Sequence, residues 1–539
     1  MSLSPESTSD RKNRTRGERL GGSVGSSADC NTHEDKNKSA RDWRSLVRDW
    51  KIVFSATAVC HALGAVTAVL LRMILSPSQM GIWQTVKLLI SQGNYANLGI
   101  SKGAAREYNV ALGSSEIEDA RRGLSIALTV NTLTSVAYAA LLAGVGIWVA
   151  ASSITGSVTF ASLTSAWLTN PWAIALTVAG ILAAVSRYVT FRITILRTEQ
   201  RFDVTSRIAV AEAVVTLAIV CLCAWIFGLP GVYLGTLAVM ATGWVLAVRG
   251  SRFSLRAAWD RATASRLVAI GGPILLAGAA SSLLRSLDKV MILAYMPDGA
   301  TALGIYSAAL LVAGQLLGLG NMAASVVGPR YGRRYGETQD EAAVAQLAAD
   351  ASGWIAVAMS GLAAISLTAG VPLLARLIPD YAAGLEPLGL LVPGILAMTL
   401  SLPGSQSLVA VGRQKTALWC VLIAIALAAG ANHFVLTAGY GLTGVAAATS
   451  GSFLFYYLLT TASGIWRSLA SAGRRRYIFI LLAGTIPLLP AVWWRVGIDP
   501  LSIPLLTAAL QTAITVAVWI VTVGVIYRCA GWQRLFTKQ

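Results

Sequence analysis

Charge is what this chain has least of: only 13% of its 539 residues are Asp, Glu, Lys or Arg, and the acids number 25 against 43 bases. So little charge, beside 55% hydrophobic residues and a mean hydropathy of +0.63, excludes a string of water-soluble domains. Cysteine is also sparse. The six stand apart at positions 30, 60, 221, 223, 420 and 529, four of them within apolar stretches, which excludes a disulfide framework and zinc-ligand spacing. No phosphate-cradling Gly loop and no Ser/His/Asp arrangement is present, so the usual marks of an enzyme are missing. The first residues lack an apolar core and do not read as a cleavable signal peptide.

What the chain has in quantity is apolar runs long enough to cross roughly 30 Å of hydrocarbon. They are expected near residues 52–74, 82–105, 123–149, 170–195, 207–228, 231–248, 267–296, 302–328, 352–375, 386–411, 416–437, 442–464, 477–494 and 503–527. The fold class is therefore an all-α membrane protein with about 14 transmembrane helices. Gln92, Gly93, Asn94 and Asn97 interrupt the second run and make it the weakest. Ahead of the first, residues 1–40 read as a disordered basic cytoplasmic tail with too little apolar surface to offset chain entropy. Residues 41–51 read as an interfacial amphipathic helix, with Trp43, Leu46, Val47 and Trp50 on one face.

A net charge of +18 suggests nucleic acid until the bases are mapped. With the N-terminus and alternate loops assigned to the cytoplasm, 37 of the 43 Lys and Arg fall on that side. The positive-inside rule accounts for the charge, puts both termini in the cytoplasm and removes the need for a nucleic-acid partner.

The two halves of the chain echo one another. Met80-Gly81-Ile82-Trp83 matches Leu303-Gly304-Ile305-Tyr306, Arg106 matches Arg330, and Gly228-Leu229-Pro230-Gly231-Val232 matches Gly441-Leu442-Thr443-Gly444-Val445, each at the same topological place. Two six-helix lobes of like orientation follow, 52–248 and 267–464, joined by a cytoplasmic linker 249–266 and followed by two further spans in 477–527 and a cytoplasmic tail 528–539. Like-oriented repeats imply a two-fold relation along the membrane normal and a central cavity between lobes. The glycines have a local explanation too, since tight turns need their backbone freedom.

Leu287-Asp288-Lys289 with Gly304-Ile305-Tyr306-Ser307, the exit Pro329-Arg330-Tyr331-Gly332, and the stretch Asn432 to Thr449 together resemble the polysaccharide transporters of the multidrug/oligosaccharidyl-lipid/polysaccharide exporter superfamily, which includes O-antigen and exopolysaccharide flippases. The likeness covers roughly residues 50 to 530; the long N-terminal tail departs from it. It implies a flippase that moves an undecaprenyl-diphosphate-linked oligosaccharide to the outer leaflet of a bacterial inner membrane by alternating access. It also implies membrane lipids as surroundings, and a polysaccharide polymerase and a chain-length regulator as partners. No cofactor is expected, and proton, sodium or membrane-potential coupling stay undistinguished.

Such a substrate needs a cationic cavity for its diphosphate. Lys87, Arg285 and Lys289 are the candidates for it, with Arg72 a further buried charge; Asp288 is the candidate coupling or ion-pair carboxylate. Arg285, Asp288 and Lys289 share a helical face at i, i+3 and i+4, and pairing of Asp288 with Arg285 leaves Lys289 unmatched. Snorkelling of the two lysines to the interface is the competing account. Gln92, Asn94, Asn97, Gln315 and Asn321 are candidate sugar donors, against plain helix–helix hydrogen bonds. His61 reads as a satisfied core histidine and Glu212 as a neighbour of Arg207. A cation-coupled multidrug exporter is the alternative within the superfamily, but the first span carries no carboxylate. A membrane glycosyltransferase or polymerase is the alternative outside it, but the longest exterior loop, 151–169, carries no charge.

Overall fold

The computed structural model describes residues 55–529 except 112–116, 155–158, 200, 252–255 and 497. The expected tail 1–40, the interfacial helix 41–51 and nearly all of the C-terminal tail lie outside the described residues. What is described is helical, without a strand.

The first eight helices are α1 (Ser55–Ile74), α2 (Pro77–Gly93), α3 (Ile100–Ala111), α4 (Ile117–Ala151), α5 (Phe160–Thr169), α6 (Pro171–Thr198), α7 (Phe202–Phe227) and α8 (Leu229–Gly250). There follow α9 (Arg261–Leu284), α10 (Leu287–Tyr295), α11 (Gly299–Thr338), α12 (Glu341–Leu377), α13 (Leu388–Ala410), α14 (Gln414–Thr437), α15 (Gly441–Trp466), α16 (Ser471–Thr485), α17 (Leu488–Trp493) and α18 (Leu505–Cys529). Among the described residues eleven helices are individually long and apolar enough to span a membrane, and α9, bent by 41° after Pro273, makes a twelfth. The two remaining expected spans, the second and the thirteenth, are each split into a pair: α2 with α3, and α16 with α17. Large apolar side chains such as Trp225 (74% exposed) and Leu506 (83%) face outward, which only a lipid solvent tolerates at this density.

The splits have local causes. After α2, Leu98 and Gly99 take left-handed conformations (φ 54° and 82°), and the Asn97 side chain accepts the Gly99 N–H at 3.1 Å, so the helix cannot continue. Gly99 is obligatory there, because a Cβ would overlap the Gly271 backbone of α9. The loop expected at 151–169 holds α5 because Thr159 and Ser162 close a capping box at its start.

The helices pack in two groups that share a seam. Neighbours α4 and α6 lie side by side, and α2 packs on α6; later in the chain α13 packs on α12 and α15, and α14 on α15. The groups meet where α2 crosses α11 and where α3 crosses α9, and from Ser55 onward the contacts form one compact unit rather than two. The α2/α11 crossing is reciprocal. A Cβ at Gly81 would overlap the Ala300 carbonyl, and one at Gly304 would overlap the Pro77 carbonyl. Pro77 and Ala300 are related by the same offset as Gly81 and Gly304, and such i-to-j, j-to-i contact is what a two-fold relation produces. At the other matched pair, Gly228 and Gly441 both take positive φ (61° and 60°), as tight turns require.

The segment between α17 and α18 is fastened to α12 by a buried cation. A π-helical stretch, Ser366–Gly370, disturbs the α12 hydrogen-bond ladder. Arg495, 3% exposed, donates from Nε to the Leu367 carbonyl (2.8 Å) and from Nη2 to the Thr368 carbonyl and the Gln511 side chain (2.9 Å each). An Arg495→Met variant is expected to unfold at a clearly lower temperature in detergent, since each buried carbonyl left unpaired costs about 1–3 kcal/mol. Arg495→Lys, a point charge in place of a planar fork, should recover only part. An unchanged unfolding midpoint for Arg495→Met would refute the fastening role.

Candidate functional site

Six bases fall outside the set that the positive-inside rule would place on the cytoplasmic side: Arg72, Lys87, Arg285, Lys289, Arg376 and Arg495. Arg376 and Arg495 are spent on backbone carbonyls, Arg376 donating to Ile503 and Pro372. The other four line one cavity of about 310 Å³ with Asp288, Gln84 and Gln315. Its walls come from α1, α2, the α9/α10 junction, α11, α13 and α15, so residues 200 apart in sequence converge there.

Arg72 is the buttress. Its guanidinium, 5% exposed, donates to the Ala68 carbonyl (2.6 Å) and to the Ser307 carbonyl (2.7 Å) and hydroxyl (3.2 Å), tying α1 to α11. Lys87 differs. It is accessible from the cavity, its ammonium lies 5.8 Å from the Trp83 ring centroid, and it stands within Coulombic range of Arg72 and Lys289. Among the described residues it has no carboxylate in ion-pair distance.

The expected single face of Arg285, Asp288 and Lys289 is interrupted: α9 ends at Leu284, and Arg285 and Ser286 form a turn before α10 begins. That turn changes the pairing. Asp288, 4% exposed, accepts the Lys289 N–H (2.8 Å) and stands 3.6 Å from the Lys289 ammonium, which also donates to the Arg285 carbonyl (2.9 Å). Asp288 therefore pairs with Lys289, and it is Arg285 that has no carboxylate among the described residues. The Lys289 ammonium turns back along the chain, away from the Met296–Pro297 turn, rather than snorkelling toward it. One carboxylate against four cations leaves the lining with a formal surplus of three positive charges.

Of the candidate sugar donors, Gln315 lines the cavity, and its side-chain oxygen accepts from His61 Nδ1 at 3.0 Å, which satisfies that histidine. Gly318 makes room for the imidazole, since a Cβ there would overlap the ring. Gln92, Asn94, Asn97 and Asn321 are not part of the lining. Gln92 donates to the Ser286 hydroxyl (2.9 Å) and so pins the α9/α10 turn, Asn94 caps α2, and Asn97 shapes the turn before α3 and donates to Ser101 (3.2 Å). Glu212 is not the partner of Arg207, which pairs with Asp203 (3.9 Å); it packs against Gly243 inside the bundle. Gln84 escaped the sequence reading, although its place three residues before Lys87 puts it on the same face.

An all-helical membrane fold with a charged cavity between two helix groups defines the class to which this protein belongs. A sequence model for the family described as "Polysaccharide biosynthesis protein" matches residues 69–374, more than half of the chain, and the chain belongs to that family. No curated protein matches it in sequence. Among solved structures it is similar to the lipid II flippase MurJ in an inward closed conformation, with a TM-score of 0.64 at 15% identity over 88% of this chain and 98% of that one. It is also similar to an inward-facing MATE family multidrug resistance transporter of the MOP superfamily (TM-score 0.55, 15% identity, 80% and 98% covered). A MOP superfamily transporter from Pyrococcus furiosus is matched to the same degree (TM-score 0.55, 16% identity, 80% and 95% covered).

Proposed function

We propose that the chain flips undecaprenyl-diphosphate-linked oligosaccharide repeat units across a bacterial inner membrane, delivering them to a polymerase and its chain-length regulator on the far side. The surplus of three positive charges in the cavity carries this reading. A buried surplus of one sign is costly unless an opposite charge visits it, and a diphosphate supplies that charge. Lys87, Arg285 and Lys289 are the proposed diphosphate contacts, with Asp288 holding Lys289 in place and Gln84 and Gln315 presenting amides to the head group. A cationic drug meets repulsion in the same cavity, which disfavours the multidrug reading. A second groove, of about 930 Å³ and lined mainly by apolar side chains including Leu396, Leu454, Leu482 and Trp493, offers a polyprenyl chain a surface of matching polarity.

The test is reconstitution in proteoliposomes with a labelled polyprenyl-diphosphate oligosaccharide in one leaflet, read by a membrane-impermeant reagent in the other. Protein-dependent transfer is expected, with competition by the diphosphate lipid and none by a neutral glycolipid. Equal competition by both lipids would sink the charge argument, and drug efflux without lipid transfer would sink the flippase. With both termini in the cytoplasm, impermeant thiol reagents added outside cells should miss cysteines placed at either end.

A further inference from the structure

We propose that the α4/α6 pair holds a small monovalent anion, with chloride the abundant candidate, between Arg187 and Asn131. Arg187, one of the bases expected on the cytoplasmic side, is 2% exposed and lies eleven residues before the end of α6, and Asn131 on α4 is 2% exposed beside it. Arg187 Nη2 donates to the Thr134 hydroxyl (2.7 Å) and stands 3.5 Å from Asn131 Oδ1. That uses one of the three guanidinium nitrogens. Arg187 Nε and Nη1 and the Asn131 amide nitrogen are buried without a hydrogen-bond partner.

Two features give the chemical class of the ligand. All three unpaired atoms are N–H donors, so whatever completes the cluster must accept several hydrogen bonds. The cluster also carries a whole positive charge with no carboxylate in ion-pair distance among the described residues. Tyr138, in Coulombic range, is a phenol whose proton already goes to the Leu89 carbonyl at 2.9 Å. Water would satisfy the donors and leave the charge uncompensated in a medium of low dielectric. A halide does both. The burial of all three donors favours a small ion over a phosphate.

The site lies apart from the cavity lining and does not depend on the transported substrate. Tyr138 ties it to the end of α2, because the same side chain packs on Gly93 just before the α2/α3 break. An anion at Arg187 therefore stabilises the helix group behind that break.

The experiment is thermal unfolding of the purified full-length protein in detergent, titrated with sodium chloride or sodium bromide against sodium gluconate at constant ionic strength. A saturable upward shift of the midpoint is expected with either halide and not with gluconate. Because Arg187→Gln can fail to fold, the decisive variant is Asn131→Asp, which supplies the negative charge internally. It should match in gluconate the stability of the parent in chloride, and lose the halide dependence. A parent midpoint indifferent to the anion, or a halide shift that never saturates and persists in Asn131→Asp, would overturn the site.

Discussion

A Lys87→Gln variant is expected to lose most of its lipid transfer while its unfolding temperature stays level or rises. The two halves of that result have one cause. Lys87 has no carboxylate partner among the described residues and is repelled by Arg72 and Lys289, so folding gains little from its charge beyond the Trp83 ring contact. A diphosphate in the cavity gains a great deal: a unit charge at 4 Å and an effective dielectric of 20 contributes about 4 kcal/mol, or roughly a thousandfold in binding. Adding Lys289→Gln should abolish transfer, but that change strands the buried Asp288, so the double variant is best made with Asp288→Asn as well. Lys87→Arg keeps the charge and should keep most of the transfer. Arg72→Gln is the contrast, because it removes two hydrogen bonds from α1 to α11 and one within α1, and should lower stability and transfer together. Full transfer by the Lys87→Gln, Asp288→Asn, Lys289→Gln protein would refute the clamp.

A Gly304→Val variant should reach the membrane and fail to transfer, with its cavity open to the side assigned to the exterior. The α2/α11 crossing leaves no room for a side chain: the Pro77 carbonyl occupies the space where the Cβ would go, and Gly81 meets Ala300 in the same way. Backbone on both sides cannot yield as a flexible side chain would, so the helices must part. Nearby, the Tyr381 hydroxyl donates to the Leu75 carbonyl at 2.6 Å and bridges the same end of the bundle. A cysteine at Gln84, in the cavity wall, reports the opening: impermeant thiol reagents added outside should label it in Gly304→Val and spare it in the parent. Gly332→Ala on the same helix meets nothing within 4 Å and should be neutral or slightly stabilising, as Gly to Ala in a helix commonly is. Equal labelling of the Gln84 cysteine in both backgrounds would mean that the crossing is no seal.

Much of this protein is legible in its residues because the bilayer writes a coarse signal. Long apolar runs mark the spans, and the short basic loops set the side of the membrane on which they are expected. The second span shows both the reach and the limit of that reading. Its polar interruption marked it as weak, and the structure breaks there, yet of the residues that looked like sugar ligands Asn94 and Asn97 build the break and Gln92 pins the α9/α10 turn. A polar side chain in a span has two uses, closing a turn or facing a cavity, and composition does not separate them.

The α9/α10 junction marks a second limit. Spacing placed Arg285, Asp288 and Lys289 on one face, which holds only for an unbroken helix; the turn at Arg285 and Ser286 gives Asp288 to Lys289 instead. Nothing local in Leu283-Leu284-Arg285-Ser286 announces that turn, which Gln92 of another helix holds from outside.

By itself the sequence determined the membrane class and the internal repeat, and it set the expected sidedness of the loops and the short roster of bases that this expected topology leaves over. Those are one-dimensional properties: run length, charge count and offset. Only the tertiary structure decided that four of those bases share a cavity while two clamp carbonyls, and that the matched glycines Gly81 and Gly304 press on each other's helices. The reason is physical. In a bilayer, lipid and protein interior are equally apolar, so hydropathy says which helices cross but not which faces meet, and that choice is left to packing and to hydrogen bonds between helices.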